Sequence, residues 1–457
     1  MPSLLHETLI SSAAMRAHFD DQATLQAMLD FEAGLARAEE SAGVIPSVAA
    51  AAIVAAAKAA HFDSVQIAVE AQRAGAVAIP LVKHLTAKVK SLDATAAGFV
   101  HFGATSQDVA DTGLALQIRA ALSLMKQDGQ RLATALAELA GAHRDLPVLG
   151  RTLLQPGPPV TLGLKAANWL LGASAALERL KREGAEAAQL QFGGAVGTLS
   201  VLQDKGIAVS EALGRDLGLP VPPMHWHTRR DGIAGLASAL GILAGTLGKI
   251  GRDISLMMQW ELGEAAEPGG GGRGGSSAMP HKRNPVACMI ALGAATRAPG
   301  LVAGIMSGMA QEFERALGGW QAEPAALATL FEIGHASLVA MIEAAEGLLV
   351  YPEAMERNIE SLNGLIFGEK LLSALAPKLG RNEAHHLVEE LVAKAIAGKA
   401  HLREVAASSP DVLAHLDADH IRALFEPAES LGSAGAFVDR ALAAYEVGFG
   451  GFSVGGG

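Results

Sequence analysis

Cysteine is all but missing from this sequence of 457 residues. Cys288 stands alone, which excludes an internal disulfide and any thiolate-bound metal cluster and agrees with a reducing compartment. Aromatic residues make up only 4% and charged residues 18%, while half the chain is hydrophobic. The apolar side chains are therefore small and aliphatic, suited to helices packed closely on helices. Period-two apolar runs bounded by turns are scarce, and no alternation of strand with helix is visible, which argues against a parallel sheet. Basic residues do not dominate either: 36 Lys and Arg against 47 Asp and Glu leave a formal net charge of −11, so nucleic acid is not expected as a partner. If the ligand is itself anionic, that overall field opposes it, and a few locally placed cations and amides must bind it. The N-terminus lacks a basic stretch ahead of its mildly apolar residues, so no secretory signal is read and a cytoplasmic location is expected. The uncharged stretch 232–248 is short for a bilayer span and diluted with Gly, Ser and Thr. It reads as a buried bundle helix rather than a membrane segment.

What is present is helical periodicity. Leu25, Met28, Leu29, Phe31 and Leu35 recur at helical spacing over 21–42. Further long helices are expected over 111–139, over 160–187 just past the prolines at 156, 158 and 159, and over 231–266, 285–313 and 325–349. Five long helices in mid-chain predict one bundle in an all-α protein. The stretch 233–247, apolar on most of its circumference, must be surrounded by protein, which subunit association would supply. A chain of this length is too long for one simple core. The expected organisation is an N-terminal helical domain (1–110), a long-helix domain (111–355) and a C-terminal helical domain (356–457) ending in a loose, glycine-rich GFGGFSVGGG.

The most informative segment is 268–285, PGGGGRGGSSAMPHKRNP. Six glycines let the chain swing, and a loop closing over a bound substrate would exclude water while delivering its serine. A plain linker is the alternative, although linkers rarely carry such a polar continuation. A nucleotide-binding loop needs Lys directly before Ser or Thr, and Gly275 stands there. His225 and His227 flank Trp226 without a third ligand or carboxylate beside them in sequence, so no metal is expected.

Residues 275–285, GSSAMPHKRNP, resemble the signature of the fumarase/aspartase superfamily at eleven positions. The resemblance extends over nearly the whole chain. Residues 100–112, VHFGATSQDVADT, are similar to the first substrate-binding segment of that superfamily, and 150–163, GRTLLQPGPPVTLG, to its second. Glu314 and Arg315 fall where adenylosuccinate-lyase-like members carry a Glu-Arg pair, and Gly364 to Phe367 with Gly380, Arg381 and His385 resemble the C-terminal domain. The resemblance implies a three-domain, cofactor-free, all-α fold whose central long-helix bundle is completed by a homotetramer, with each active site drawing on three subunits.

Two departures choose a branch. Where adenylosuccinate and argininosuccinate lyases carry a proton-transferring His after Arg-Thr, this chain has Leu153, and AVAIPL at 76–81 replaces a phosphate-side His-Asp pair. An aliphatic side chain cannot protonate a departing amine. These features resemble the bacterial 3-carboxy-cis,cis-muconate cycloisomerases, as do LQAMLDFEAGLARAE and AIPLVKHL. The implied reaction is addition of a substrate carboxylate to a double bond, closing a lactone in aromatic (protocatechuate) degradation. By resemblance Ser276 protonates the adjacent carbon, while Lys282 and Asn284 face the carboxylate where charge accumulates. Thr105, Ser106, Gln155 and Arg315 would donate to the carboxylates of a small polycarboxylate substrate, and His101, Arg151, Thr152, Ser277 and Met279 complete the expected binding set. Thr105 and Ser106 are equally readable as a helix cap. His143 is the candidate to replace the missing histidine, with a helix-end role as its plain alternative. Three competing readings are an adenylosuccinate-type C–N lyase, a cycloisomerase for a sulfonated muconate, and a non-enzymatic helical scaffold.

Overall fold

Asp20 opens the first long helix. Its carboxylate accepts the Ala23 amide at 2.8 Å, a side-chain cap, and α1 then runs Asp21–Ser41. In this computed structural model residues 4–270, 274–275, 278–279 and 281–448 are described. Ser276, Ser277 and the tail beyond Gly448 lie outside the described residues. The other long helices are α2 (Ser106–Ala142), α3 (Leu162–Ala187), α5 (Asp231–Met257), α6 (Val286–Ser307) and α7 (Gly319–Glu346), with the shorter α4 (Gly206–Leu217) between α3 and α5. In the C-terminal part, α8 (Gly368–Leu379) and α9 (Arg381–Gly398) are the main helices.

The helix ends correct several sequence expectations. The expected helix over 231–266 stops at Met257, because the Glu264 amide folds back onto the Met257 carbonyl and Gly263 takes a positive φ of 58°. Residues Ala265–Ala266 (β3) then pair antiparallel with Leu349–Val350 (β4), so the helix expected to end at 349 ends at Glu346 instead. The helix expected over 285–313 stops at Ser307, and α7 begins at Gly319 rather than 325. Pro324 inside α7 forfeits one backbone bond, to the carbonyl four residues back.

A hairpin is the element that sequence periodicity conceals. β1 (Pro147–Thr152) and β2 (Gln155–Thr161) pair antiparallel. Four prolines at 147, 156, 158 and 159 mask its alternation, tolerated because among the described residues each strand has an unpaired edge. Gly150 is required there, since a Cβ would lie 2.3 Å from the Pro158 carbonyl oxygen. The two-residue turn is Leu153 and Leu154, at φ 52° and 64°, a conformation that usually selects Asn-Gly.

Two compact units emerge, each assembled from three stretches. The first comprises Met1–Gly129, Ala175–Gly248 and Ile290–Val339. Its core gathers Leu29, Phe31 and Leu35 of α1 with Ile53, Leu85 and Leu213, all at most 1% exposed. Each such side chain contributes about 1.5–3 kcal/mol by leaving water. Gly34 brings α1 close to α4, where a Cβ would come within 3.0 Å of Leu217 and Asp216. The second unit comprises Gln130–Ser174, Lys249–Met289 and Ala340–Gly457. Its core gathers Leu371 and Leu375 of α8, Leu391 of α9, Phe367 and Phe425. Among the described residues three helices, α5, α6 and α7, are long and apolar enough to cross a membrane. The most apolar stretches of α5 and α7 are mostly buried within the chain, whereas that of α6 is 28% buried.

Candidate active site

In the first unit, Arg315 clasps the start of α2. Its Nη1 donates to Thr105 Oγ1 at 2.6 Å, its Nη2 to Ser106 Oγ at 3.1 Å, and its Nε lies 3.4 Å from Gln107 Oε1. This brings together three residues expected from sequence, and their donors and guanidinium form a setting for an anion. Beneath it Asp108, fully buried, accepts four bonds: from the amides of Thr105, Gly193 and Gly194 at 2.9–3.0 Å and from His227 Nε2 at 2.7 Å. Asp108 thus fixes the loop that presents Thr105 while capping α2. His227 serves this carboxylate, and His225 lies beside it with ring centroids 4.8 Å apart. No group of three His, Cys, Asp or Glu able to hold a metal occurs among the described residues. One turn on, Arg230 bridges Asp111 (2.8 and 3.0 Å) and Glu323 (2.5 to 3.1 Å), with all three side chains at most 3% exposed. Burial pushes the Glu323 carboxyl above the usual range while Arg230 pulls it back.

His101 has an acidic partner that sequence reasoning missed. Its Nδ1 lies 2.7 Å from Glu32 Oε1, and the Glu32 side chain is fully buried. Burial opposes the imidazolium, but the charge and hydrogen bond of Glu32, with Asp108 adding to them, hold the His101 pKa above the ordinary histidine value.

In the second unit, the glycine-serine loop is pinched at its base. Asn284 donates its amide to the Gly274 carbonyl at 2.8 Å, and Gly275 pairs with Arg283. Gly274 adopts φ 67°, and a Cβ there would strike the Asn284 carbonyl at 2.5 Å. Outside this neck, buried Glu267 accepts the amides of Ala287 (3.0 Å) and Cys288 (2.7 Å), capping α6 and tying the two ends of the loop together. Burial and that carboxylate push the Cys288 thiol far up, so the lone cysteine is a packing residue. Lys282 and Met279 are exposed and Asn284 half-buried.

The hairpin carries the remaining expected residues. Arg151 donates two bonds to Glu264, at 2.9 and 2.7 Å, and Asn358 Nδ2 donates to the same carboxylate at 2.9 Å. Arg151 is thus the strut that holds the hairpin and also lines a cavity of about 940 Å³ with Thr152, Lys165, Trp169, Lys249 and Asp253. Burial draws the Lys165 ammonium below the ordinary lysine range, with Asp253 opposing. Thr152 and Gln155 are exposed, and Leu153 at the tip is 97% exposed. His143 lies just past the end of α2 and its carbonyl accepts the Gly163 amide at 2.7 Å, while burial lowers its ring pKa. The plain helix-end reading describes that backbone geometry.

Glu32 and Glu39 were legible in principle. Both fall on the apolar stripe of α1 marked by Leu25, Met28, Leu29, Leu35 and Ala36, and an acid on a core stripe signals a buried partner or a raised pKa. Asp108, Glu264 and Glu267 gave no such signal, because their partners other than Thr105 lie far along the chain.

Comparison with known families decides the assignment. The model of a family described as lyase matches residues 8–300, and that of the adenylosuccinate lyase C-terminus matches residues 364–441. The chain belongs to the fumarase/aspartase superfamily. Members of the superfamily act on small carboxylate substrates and typically oligomerise. Within the superfamily the chain is 50% identical over 438 residues to a 3-carboxy-cis,cis-muconate cycloisomerase of Bradyrhizobium diazoefficiens, covering 96% of this chain and 97% of that protein. It is 48% identical to the enzyme of the same name from Pseudomonas aeruginosa, covering 96% of each. The solved 3-carboxy-cis,cis-muconate lactonizing enzyme of Pseudomonas putida superposes with a TM-score of 0.93 at 44% identity, over 98% of this chain and all of that one.

Proposed function

We propose that this enzyme lactonises 3-carboxy-cis,cis-muconate, and the observation that carries the reading is Leu153. It stands at the exposed tip of the β1–β2 hairpin, where amine-releasing relatives keep a histidine, and a cyclisation has no amine to protonate. Near-full-length identity to two enzymes of that name supports the substrate. A lone pair on an ionised, tethered carboxylate oxygen forms the C–O bond, and the π electrons of the attacked double bond move to the adjacent carbon. Little entropy remains to be lost in that step. The adjacent carbon then takes the proton of the Ser276 hydroxyl, and the serine is reprotonated from water. Lys282 and Asn284 hold the carboxylate on which charge builds. Thr105, Ser106, Gln155 and Arg315 bind the other carboxylates, and Arg151, Thr152, Ser277 and Met279 shape the pocket. His143 stands as the alternative acid.

The active form in this reading is a cytoplasmic homotetramer whose sites each draw on three subunits, with domains 1–110, 111–355 and 356–457. The outward apolar surface of α6 supports association, since monomers rarely leave so much apolar area exposed. The test is direct: purified enzyme with 3-carboxy-cis,cis-muconate loses the ultraviolet band of the conjugated diene. Fumarate release from a succinyl amine without diene loss would instead establish the C–N lyase reading. Faster turnover of a sulfonated muconate would reassign the substrate.

A further inference from the structure

The core stripe of α1 carries two acids, seven residues apart. Glu32 and Glu39 are each 1% exposed, and one oxygen of each, Glu32 Oε2 and Glu39 Oε1, is buried without a hydrogen-bond partner among the described residues. Buried acids are expensive to keep, and neither is among the site residues expected from the sequence. The other oxygen of Glu32 meets His101 Nδ1 at 2.7 Å. His101 is itself held at φ 59°, a left-handed conformation that non-glycine residues rarely adopt. It lies four residues before Thr105, in the loop that Asp108 fixes. The charged groups around the ring are Glu32 from α1 and Asp108 from the start of α2. Asp108 is in turn engaged by His227, whose ring lies tilted beside that of His225, while Arg315 faces Thr105 and Ser106. With Nδ1 committed to Glu32, Nε2 is the nitrogen left to meet a ligand.

We propose that Glu32 is a positioning residue that keeps His101 doubly protonated, so that Nε2–H binds a substrate carboxylate beside the Thr105–Arg315 cradle. The proposal rests on the carboxylate-binding reading above. Glu39 completes the arrangement from behind. Burial, with the charge of Glu32 adding, pushes its carboxyl up to about 9, so Glu39 stays neutral near pH 7.

The experiment uses the full-length protein with ¹³C-labelled histidine, and His101→Gln assigns the His101 resonance. In the unsubstituted protein that resonance titrates above the ordinary histidine range. In Glu32→Gln its midpoint falls by about one unit or more, and Glu32→Asp restores part of the shift. This readout needs no turnover, so a wrong substrate assignment leaves it intact. With 3-carboxy-cis,cis-muconate, Glu32→Gln lowers kcat/KM roughly tenfold at pH 8, mainly through KM, and much less at pH 6, as a one-unit shift requires. Glu32→Gln adds little further loss in a His101→Gln background. An unshifted His101 midpoint in folded Glu32→Gln protein, or a loss equal at both pH values, would overturn the proposal.

Discussion

Replacing Glu39 by Gln keeps the shape of the side chain and removes its ionisation. The native carboxyl titrates near 9 against an ordinary 4.5, so between those values the native state holds a proton that the unfolded chain has released. Stability therefore falls as pH rises from about 4.5 and levels off above about 9. At 1.36 kcal/mol per unit, the cost is about 1 kcal/mol at pH 5 and about 5 kcal/mol at pH 8. A relaxed core and a compact unfolded state reduce the second figure, and half of it would still be easily measured. Glu39→Gln is expected to raise the urea midpoint modestly at pH 5 and by several times as much at pH 8. If the variant lost stability equally at both values, Glu39 would be an ionised group with a partner, and the reasoning about the α1 stripe would be wrong.

The buried Arg230 network should behave in the opposite way. Arg230→Met deprives Asp111 and Glu323 of the cation between them and should cost about 3–5 kcal/mol in urea unfolding; a neutral effect would mean that water enters the site. The strained turn separates stability from function. Leu153→Asn with Leu154→Gly relieves two positive-φ leucines and should stabilise the fold by about 1–2 kcal/mol, yet lower kcat/KM, whereas unchanged activity would show that the tip lies away from substrate. Cys288, buried and with its thiol pushed up, should resist a thiol reagent in native protein and react only on unfolding, as stoichiometric labelling would show.

The long helices could be read because their apolar residues repeat at the helical period over many turns, from Leu25 to Leu35 in α1 and through the whole of α5. Their ends could not, where Gly263 and the β3–β4 pairing depend on residues 349–350, more than eighty positions away. The β1–β2 hairpin escaped because prolines broke its alternation and leucines occupy a turn that glycine and asparagine usually mark. The Thr105–Ser106–Arg315 cluster was legible only through resemblance, since 209 residues separate Ser106 from Arg315. Glu32 could have been found from α1 alone, as an acid on an apolar stripe. Its pairing with His101, 69 positions away, could not.

The central claim is that the hydroxyl of residue 276 delivers the proton to carbon. Single-turnover measurement in deuterium oxide, comparing Ser276→Ala with the unsubstituted enzyme on 3-carboxy-cis,cis-muconate, tests it most directly. The account predicts a fall of about a hundredfold or more in the rate of diene loss, the scale of a removed general acid, with the solvent isotope effect of the normal enzyme altered in the residual reaction. A Ser276→Ala enzyme that lactonised at the normal rate, with an unchanged isotope effect, would contradict it.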